Sequence, residues 1–293
     1  MMHLTRREWH QVALAGFVSA LPTPLRGRGM QSPEPRSRYK GVTLGVQSYS
    51  FRDMALDAAI AAMSTLGLSG CELWQGHVEP PRMSRDELRR WRESVSLDEF
   101  RRIAEKFRTA GVTLSAYNIS FQDSFSDTEI ERGFEMANAL GAPCITASSN
   151  IKTVARVAPV ANSRGIRVGM HNHSRIDPNE FATPQNFADA MKAGTHIAVN
   201  LDIGHFTAAN FDAVEFLRRR HESIVSLHIK DRKRNQGPNV PFGEGDTPIG
   251  PVLRLLRDEK WTIPANIEYE YTGGDTVEEV RRCLEYCRRQ LDL

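Results

Sequence analysis

Cysteine is scarce: the chain of 293 residues has four, Cys71, Cys144, Cys283 and Cys287. No C-x-x-C pair or zinc-ribbon spacing occurs among them, which argues against a disulfide framework or a thiolate metal site and predicts free, buried thiols. A surplus of one charge is lacking too. With 38 Lys+Arg against 36 Asp+Glu, a net charge of +2, nothing supports bulk electrostatic binding of nucleic acid, and no nucleic-acid partner is expected. No apolar run is long enough to span a bilayer as a stable helix, so no stable membrane insertion is expected either. The 40% hydrophobic and 25% charged fractions are those of a soluble globular protein with enough chain for a sizeable core.

The first residues hold Arg6-Arg7, a weakly apolar segment from Val12 to Leu21, and small residues at Ser19-Ala20 before Pro22 and Pro24. These are the parts of a secretory signal, and the adjacent arginines give it a twin-arginine character. From Pro24 to Lys40 the chain is rich in Pro, Gly, Arg and Ser and reads as a linker. Residues 1–38 are therefore expected to be signal and linker, with 39–293 the fold proper, and export to the periplasm follows. The competing reading is a surface helix in a cytoplasmic protein.

Eight short β-branched or apolar runs recur after that: Thr43–Ser48, Gly70–Leu73, Val112–Tyr117, Cys144–Ala147, Ile166–His171, Ile197–Asp202, Ile224–Ile229 and Ala265–Tyr269. Segments of helical period separate most of them. Ser96 to Glu99, Ser126 to Glu129 and Thr276 to Glu279 read as capping boxes, Gly111 as a helix stop, and Pro184 and Pro248 as first-turn prolines. Alternating strands and helices imply a parallel sheet covered by helices, and eight units predict closure into a single-domain (β/α)8 TIM barrel. No Gly-x-Gly-x-x-Gly follows the first strand, which disfavours an open dinucleotide-binding sheet.

Such barrels place their chemistry at the carboxyl ends of the strands. There the sequence offers Glu72, then His171 and His173, Asp202 and His205, His228 with Lys230 and Asp231, and Glu268 with Glu270. Residues two apart on a strand share a face, so the pairs His171/His173, His228/Lys230 and Glu268/Glu270 can each point inward. Imidazole and carboxylate without thiolate suit one divalent metal ion, Mn2+, Co2+, Zn2+ or Mg2+. Such an ion could hold vicinal sugar oxygens, polarise a carbonyl and lower the energy of an enediolate.

In their order along the chain, Gly70-Cys71-Glu72-Leu73-Trp74, Met170-His171-Asn172-His173, Leu201-Asp202-Ile203-Gly204-His205, Leu227-His228-Ile229-Lys230-Asp231, Phe242-Gly243-Glu244-Gly245-Asp246 and Ile267-Glu268-Tyr269-Glu270 resemble the xylose isomerase-like barrel superfamily, the sugar phosphate isomerase/epimerase group. The resemblance runs from about Val42 to Tyr271. It implies a metal held by Asp202, His228 and Glu268, with His171 standing where epimerases of the group carry a first Glu, and a substrate contact from His205. An imidazole ligates well but is a poor replacement for a carboxylate that takes a proton from carbon. Lys230, its pKa expected to fall through burial and a nearby cation, ranks first as the replacement, with Glu270, Glu72 and His173 behind it.

Three functions follow. The first is a metal-dependent sugar or keto-sugar isomerase or epimerase. The second is a lyase or dehydratase working by β-elimination on keto-sugars or glycosides, and the third a non-catalytic secreted carbohydrate-binding barrel. The expected partner is a small-molecule carbohydrate, and a homo-oligomer is compatible with the sequence. Glu72, Trp74, His173 and Arg232 are expected to bind substrate, Trp74 as a stacking wall, although Glu72 could instead brace the barrel mouth. The arginines around Trp91 read as a solvated helix face and Cys283/Cys287 as packing residues. The Gly243–Gly245 loop is a weak phosphate signal.

Overall fold

The structure, a computed structural model, describes residues 37–293. The export signal expected at 1–38 falls almost wholly outside the described residues. Nine strands follow in chain order: β1 (Arg38–Tyr39), β2 (Val42–Gln47), β3 (Gly70–Trp74), β4 (Thr113–Asn118), β5 (Cys144–Ala147), β6 (Arg167–His171), β7 (Ile197–Asp202), β8 (Ile224–Ile229) and β9 (Ala265–Ile267). Strands β2 to β9 pair in parallel with their sequence neighbours, and β2 also pairs with β9, Leu44 opposite Ala265 and Val46 opposite Ile267. The sheet is thus a closed eight-stranded parallel barrel with helices outside, a TIM barrel, as the strand count predicted.

Two differences from the sequence reading concern the ends. Arg38–Tyr39 is a strand, antiparallel to the start of β2, where linker was expected. The reason is local: Ser37 and Ser69 exchange backbone and hydroxyl hydrogen bonds at 2.9–3.0 Å, which fastens this stretch under β3. At the other end β9 stops at Ile267, so Glu268 and Glu270 stand just beyond the ladder.

The barrel strands are buried on both faces, as parallel sheets must be when helices cover them. Pro184 opens the helix Pro184–Met191 and Gly111, at φ +71°, follows the helix Leu97–Thr109, as expected. The Ser126/Glu129 capping box is complete. At Ser96 only the hydroxyl half forms, and Pro248 is a cap residue just before the helix Ile249–Asp258. The last helix, Thr276–Asp292, is capped by Asp275 and not by Thr276, whose hydroxyl donates to Asp53 instead. All four cysteines are free and buried. Among the described residues no helix is long and apolar enough to cross a membrane.

Candidate active site

At the carboxyl ends of the strands lies a cavity of about 330 Å3 lined by Gln47, Tyr49, Trp74, Asn118, Ser120, Ser148, His171, His173, His205, His228, Lys230, Glu268 and Glu270. The three inward pairs expected from strand alternation all face it. Asn172, between the two histidines of its motif, turns away: its amide donates to the Asp202 carbonyl and accepts from the Asp202 N–H, both at 3.0 Å. This clamp ties the end of β6 to the end of β7. Asp202 then divides its two oxygens. Oδ1 accepts from the His205 N–H at 2.6 Å, capping the short helix Ile203–Ala208, and Oδ2 is left for the cavity.

Gly204 lies against the Lys230 backbone so closely that a Cβ there would come 2.8 Å from the Lys230 carbonyl oxygen. Only glycine lets these two strand ends approach as they do.

Asp202 Oδ2, His228 Nδ1 and Glu268 Oε2 are buried and make no hydrogen bond of good geometry; what they have are ion pairs, each carboxylate oxygen with Lys230 Nζ, and His228 Nδ1 with Glu268 Oε2 at 3.2 Å. Asp202, His228 and Glu268 also form a group whose ligand atoms all lie within 4.8 Å of one another. Buried polar atoms left without a hydrogen bond are costly, and three converging ligand atoms of this kind fit a divalent cation. A second group, His171, Asp202 and His205, shares Asp202. The four ligands expected from the sequence therefore do not close as one set, because His171 groups with His205 and not with His228 and Glu268.

Lys230 Nζ is held between carboxylates: 2.6 Å from Glu270 Oε2, 2.8 Å from Glu268 Oε2 and 3.1 Å from Asp202 Oδ2. Burial alone would lower its pKa, but these three acids outweigh it and push the ammonium well above the usual lysine range. The downward shift expected beside a bound cation is therefore not seen with the acids alone, which hold Lys230 as an ammonium. The same charges act in reverse on Glu268, which burial would raise but Lys230 and His228 hold well below the ordinary carboxylate range. Burial pushes Asp202 up, against Lys230. His171 and His205 are driven well below the imidazole range, first by burial and then by the cationic neighbours His228 and Lys230 respectively.

Glu72 does not touch the cavity. It is fully buried beneath it, and its carboxylate accepts hydrogen bonds from Gln47 at 2.9 Å, Thr146 at 2.7 Å, Ser226 at 2.8 Å, His228 Nε2 at 2.7 Å, and Asn200 and Asn266 at 3.2 Å. The substrate-binding role expected for it is replaced by a positioning one. With Nε2–H spent on Glu72, His228 turns its other nitrogen to the metal locus, an arrangement common around ligating histidines. Burial would lower the His228 pKa, but Glu72 and Glu268 raise it well above the ordinary value while no cation competes.

Arg232 does not line the cavity either. Its guanidinium donates to the Gly237 carbonyl at 3.1 and 2.6 Å, to Ser174 Oγ at 2.9 Å and to His205 Nδ1 at 2.6 Å. The glycine loop is no phosphate cradle: the N–H groups of Gly243 and Gly245 are taken by Asp231 at 2.8 and 3.0 Å. Trp74 does reach the cavity, edge-on to Tyr49 with ring centroids 4.9 Å apart. His173 lines the mouth and its Nδ1 lies 3.1 Å from Glu180 Oε2.

The xylose isomerase-like TIM barrel family matches residues 60–290, most of the chain. The chain belongs to that family. Curated relatives of this xylose isomerase-like barrel include L-ribulose-5-phosphate 3-epimerase UlaE of Escherichia coli, 30% identical over 91 residues, 31% of this chain and 32% of the relative. The chain thus matches about a third of that relative's length. Among solved structures, 3-keto-D-glucoside 4-epimerase YcjR of E. coli aligns with a TM-score of 0.65 at 13% identity over 85% of this chain and 99% of that one. The probable 3-DHS dehydratase AsbF of Bacillus anthracis aligns at 0.63 and 14%, over 83% and 98%. At these identities the two structures bear on fold alone.

Six cavity or mouth residues of this xylose isomerase-like barrel escaped the sequence reading: Gln47, Tyr49, Asn118, Ser120, Ser148 and Glu180. All but Glu180 stand at or just past the ends of β2, β4 and β5, where the strand-end rule would have found them had amides and hydroxyls been counted with the titratable groups. Glu180 lies in an irregular segment after β6, and no periodicity marks it.

Proposed function

We propose that the protein is a divalent-metal-dependent isomerase or epimerase of a sugar or keto-sugar. The reading is carried by the convergence of the buried Asp202, His228 and Glu268, whose ligand atoms lie within 4.8 Å of one another and make no hydrogen bond of good geometry, at a cavity that also holds a further carboxylate, Glu270. When bound at these three atoms, a dication supplies Lewis acidity toward a carbonyl and the negative charge that develops beside it. Glu270, with a side chain 24% exposed against 8% for Glu268, is the carboxylate that takes a proton from carbon and returns it. The Lys230 ammonium orients Glu270 and adds positive charge next to the reacting oxygens. Trp74 and Tyr49 offer an aromatic wall to the C–H face of a sugar.

An uncharged sugar fits better than a phosphorylated one. Lys230 is enclosed by three carboxylates and the Arg232 donors are committed to protein acceptors, which leaves neither to clamp a phosphate. In this respect the reading departs from the substrate in the name of the Escherichia coli relative.

One observation favours a lyase as the second reading. Besides Glu270, the cavity lining outside the proposed metal set offers imidazoles, His171 and His173, and the nearest further carboxylate, Glu180, is paired with His173. One base and one acid suffice for elimination, whereas a two-base epimerisation needs proton acceptors on both sides. The test is a metal-replete incubation with free sugars, 3-keto-sugars and glycosides in deuterated water, followed by NMR with a chelator control. Solvent deuterium in recovered substrate or its isomer is the expected result. An alkene or keto-deoxy product without exchange moves the assignment to lyase, and inertness of the metal-loaded protein toward all three classes refutes both.

A further inference from the structure

A second cavity, of about 370 Å3, shares two chain segments with the first. Asn239 Nδ2 meets Glu270 Oε2 at 3.4 Å on the side of the catalytic cavity. The residues just beyond each of them, Phe242 on one segment and Tyr271 on the other, line the second cavity. The segment with Phe242 is the glycine-rich loop. Its N–H groups serve Asp231, so its side chains need another account. Gly243, at φ +98°, lets this loop press on the last helix, because a Cβ there would come 2.7 Å from the Tyr286 ring. Phe242 and Tyr286 then stand edge to face, half-buried, with centroids 6.1 Å apart. The floor is fixed as well: the Tyr271 hydroxyl donates to Glu279 Oε2 at 2.7 Å, and Glu279 Oε1 accepts from Arg282 at 3.0 Å. Aromatic walls and floor are held in place before any ligand arrives, the condition that keeps the cost of binding low.

Two charges in this cleft are uncommitted. Arg289 makes no ion pair with any described residue, its guanidinium standing 6.0 Å from the Tyr286 ring centroid. The Glu244 carboxylate has neither an ion pair nor a hydrogen bond among the described residues. With two arginines and two glutamates in the lining there is no net charge to select an anion or a cation. A fork of donors, a free acceptor and half-buried aromatic faces together match a neutral polyhydroxyl ring: the guanidinium donates to hydroxyls, the carboxylate accepts from them, and the rings cover the C–H face. We propose that the cleft is a second saccharide site, which takes an uncharged sugar unit separate from the one in the catalytic cavity. The class of ligand rests on the carbohydrate reading made above, while the existence of the site does not. Its position links it to the chemistry. Tyr271 is the residue after Glu270, and Asp231, which pins the loop, is the residue after Lys230.

The experiment uses the full chain labelled with 15N, with chemical shifts followed as methyl glucoside, cellobiose and maltose are added in turn, once with zinc and once with chelator. Phenylalanine is the control, because its zwitterion and ring could use the same two charges and the same walls. At least one sugar should give a saturating titration that survives the chelator. Arg289→Ala and Tyr286→Ala should each weaken it by about tenfold or more, the scale of losing one principal contact. Trp74→Ala, which alters the other cavity, should leave it within about twofold, and all three variants should keep the wild-type fold by the remaining shifts. Absence of saturation with all three sugars overturns the proposal, as does wild-type affinity in Arg289→Ala or tighter binding of phenylalanine than of every sugar. Should Tyr286→Ala not fold, Arg289→Ala, at an exposed position, decides alone. A protein that binds sugar through Arg289 but shows neither deuterium exchange nor elimination keeps this site and loses the proposed function. Turnover with a silent cleft does the reverse.

Discussion

His228 is aimed by a single carboxylate. Glu72 gathers donors from five strands, and the charge it carries fixes which His228 nitrogen bears the proton. Glu72→Gln keeps the volume but removes the charge and turns one of the two accepting oxygens into a donor. Zinc affinity should drop by about ten- to a hundredfold, measured by calorimetry, in line with other supports of ligating histidines. An unchanged affinity would mean that His228 needs no such support. At this scale the sequence was informative about position and poor about state. Asp202, His228, Lys230, Glu268 and Glu270 were legible because polar groups at the ends of apolar strands must converge in a closed barrel. The charge of Lys230 was not, since the acids around it come from β7 and from two positions beyond β9. Glu72 was misread for a similar reason: it sits two residues before the end of its strand, and that step down the barrel axis puts it under the cavity floor.

Among the helices, Arg85–Ser94 is the informative one. Its arginines were read as a solvated face, and Arg85, Arg89 and Arg90 are indeed exposed. Arg92 departs from that pattern. Its guanidinium is buried and meets Glu79 at 2.7 and 3.0 Å and Glu129 at 3.0 Å, joining this helix to the loop after β3 and to the helix Asp127–Leu140. Arg92→Met should cost about 3–5 kcal/mol in denaturant unfolding, because two largely buried carboxylates lose their partner. Adding Glu79→Gln and Glu129→Gln should recover a good part of that loss, which separates uncompensated charge from lost packing. A helical stretch with charges of both signs cannot reveal from sequence that one arginine of four turns inward. The strands were far more readable. Their predicted limits fall within two residues of those observed, because an apolar run of strand length between glycine, proline and cap residues has few other uses in an alternating chain.

Over the whole molecule the eight-unit pattern was enough to foresee closure, and the β2–β9 pairing bears it out. What the pattern could not supply was the depth of each side chain along the barrel axis, which depends on strand stagger and on the register shifts in β3 and β7. A cation bridging β7, β8 and the segment after β9 binds only the folded barrel, so it should stabilise it. At a hundredfold excess over Kd the gain is about 2.7 kcal/mol. For a domain of this size that is about 5–10 °C in Tm. Calorimetric scans with zinc and with chelator check this, and coincident transitions would exclude the proposed site.

The ring is sealed by its final stave. Until Ala265–Ile267 has been synthesised, Val42–Gln47 has no neighbour on one side, and the two acids that follow, Glu268 and Glu270, do not yet exist. Without that segment the chain has neither a shut cylinder nor the third member of the proposed metal set, Glu268. Closure of the barrel and completion of the proposed site thus fall to the same few residues.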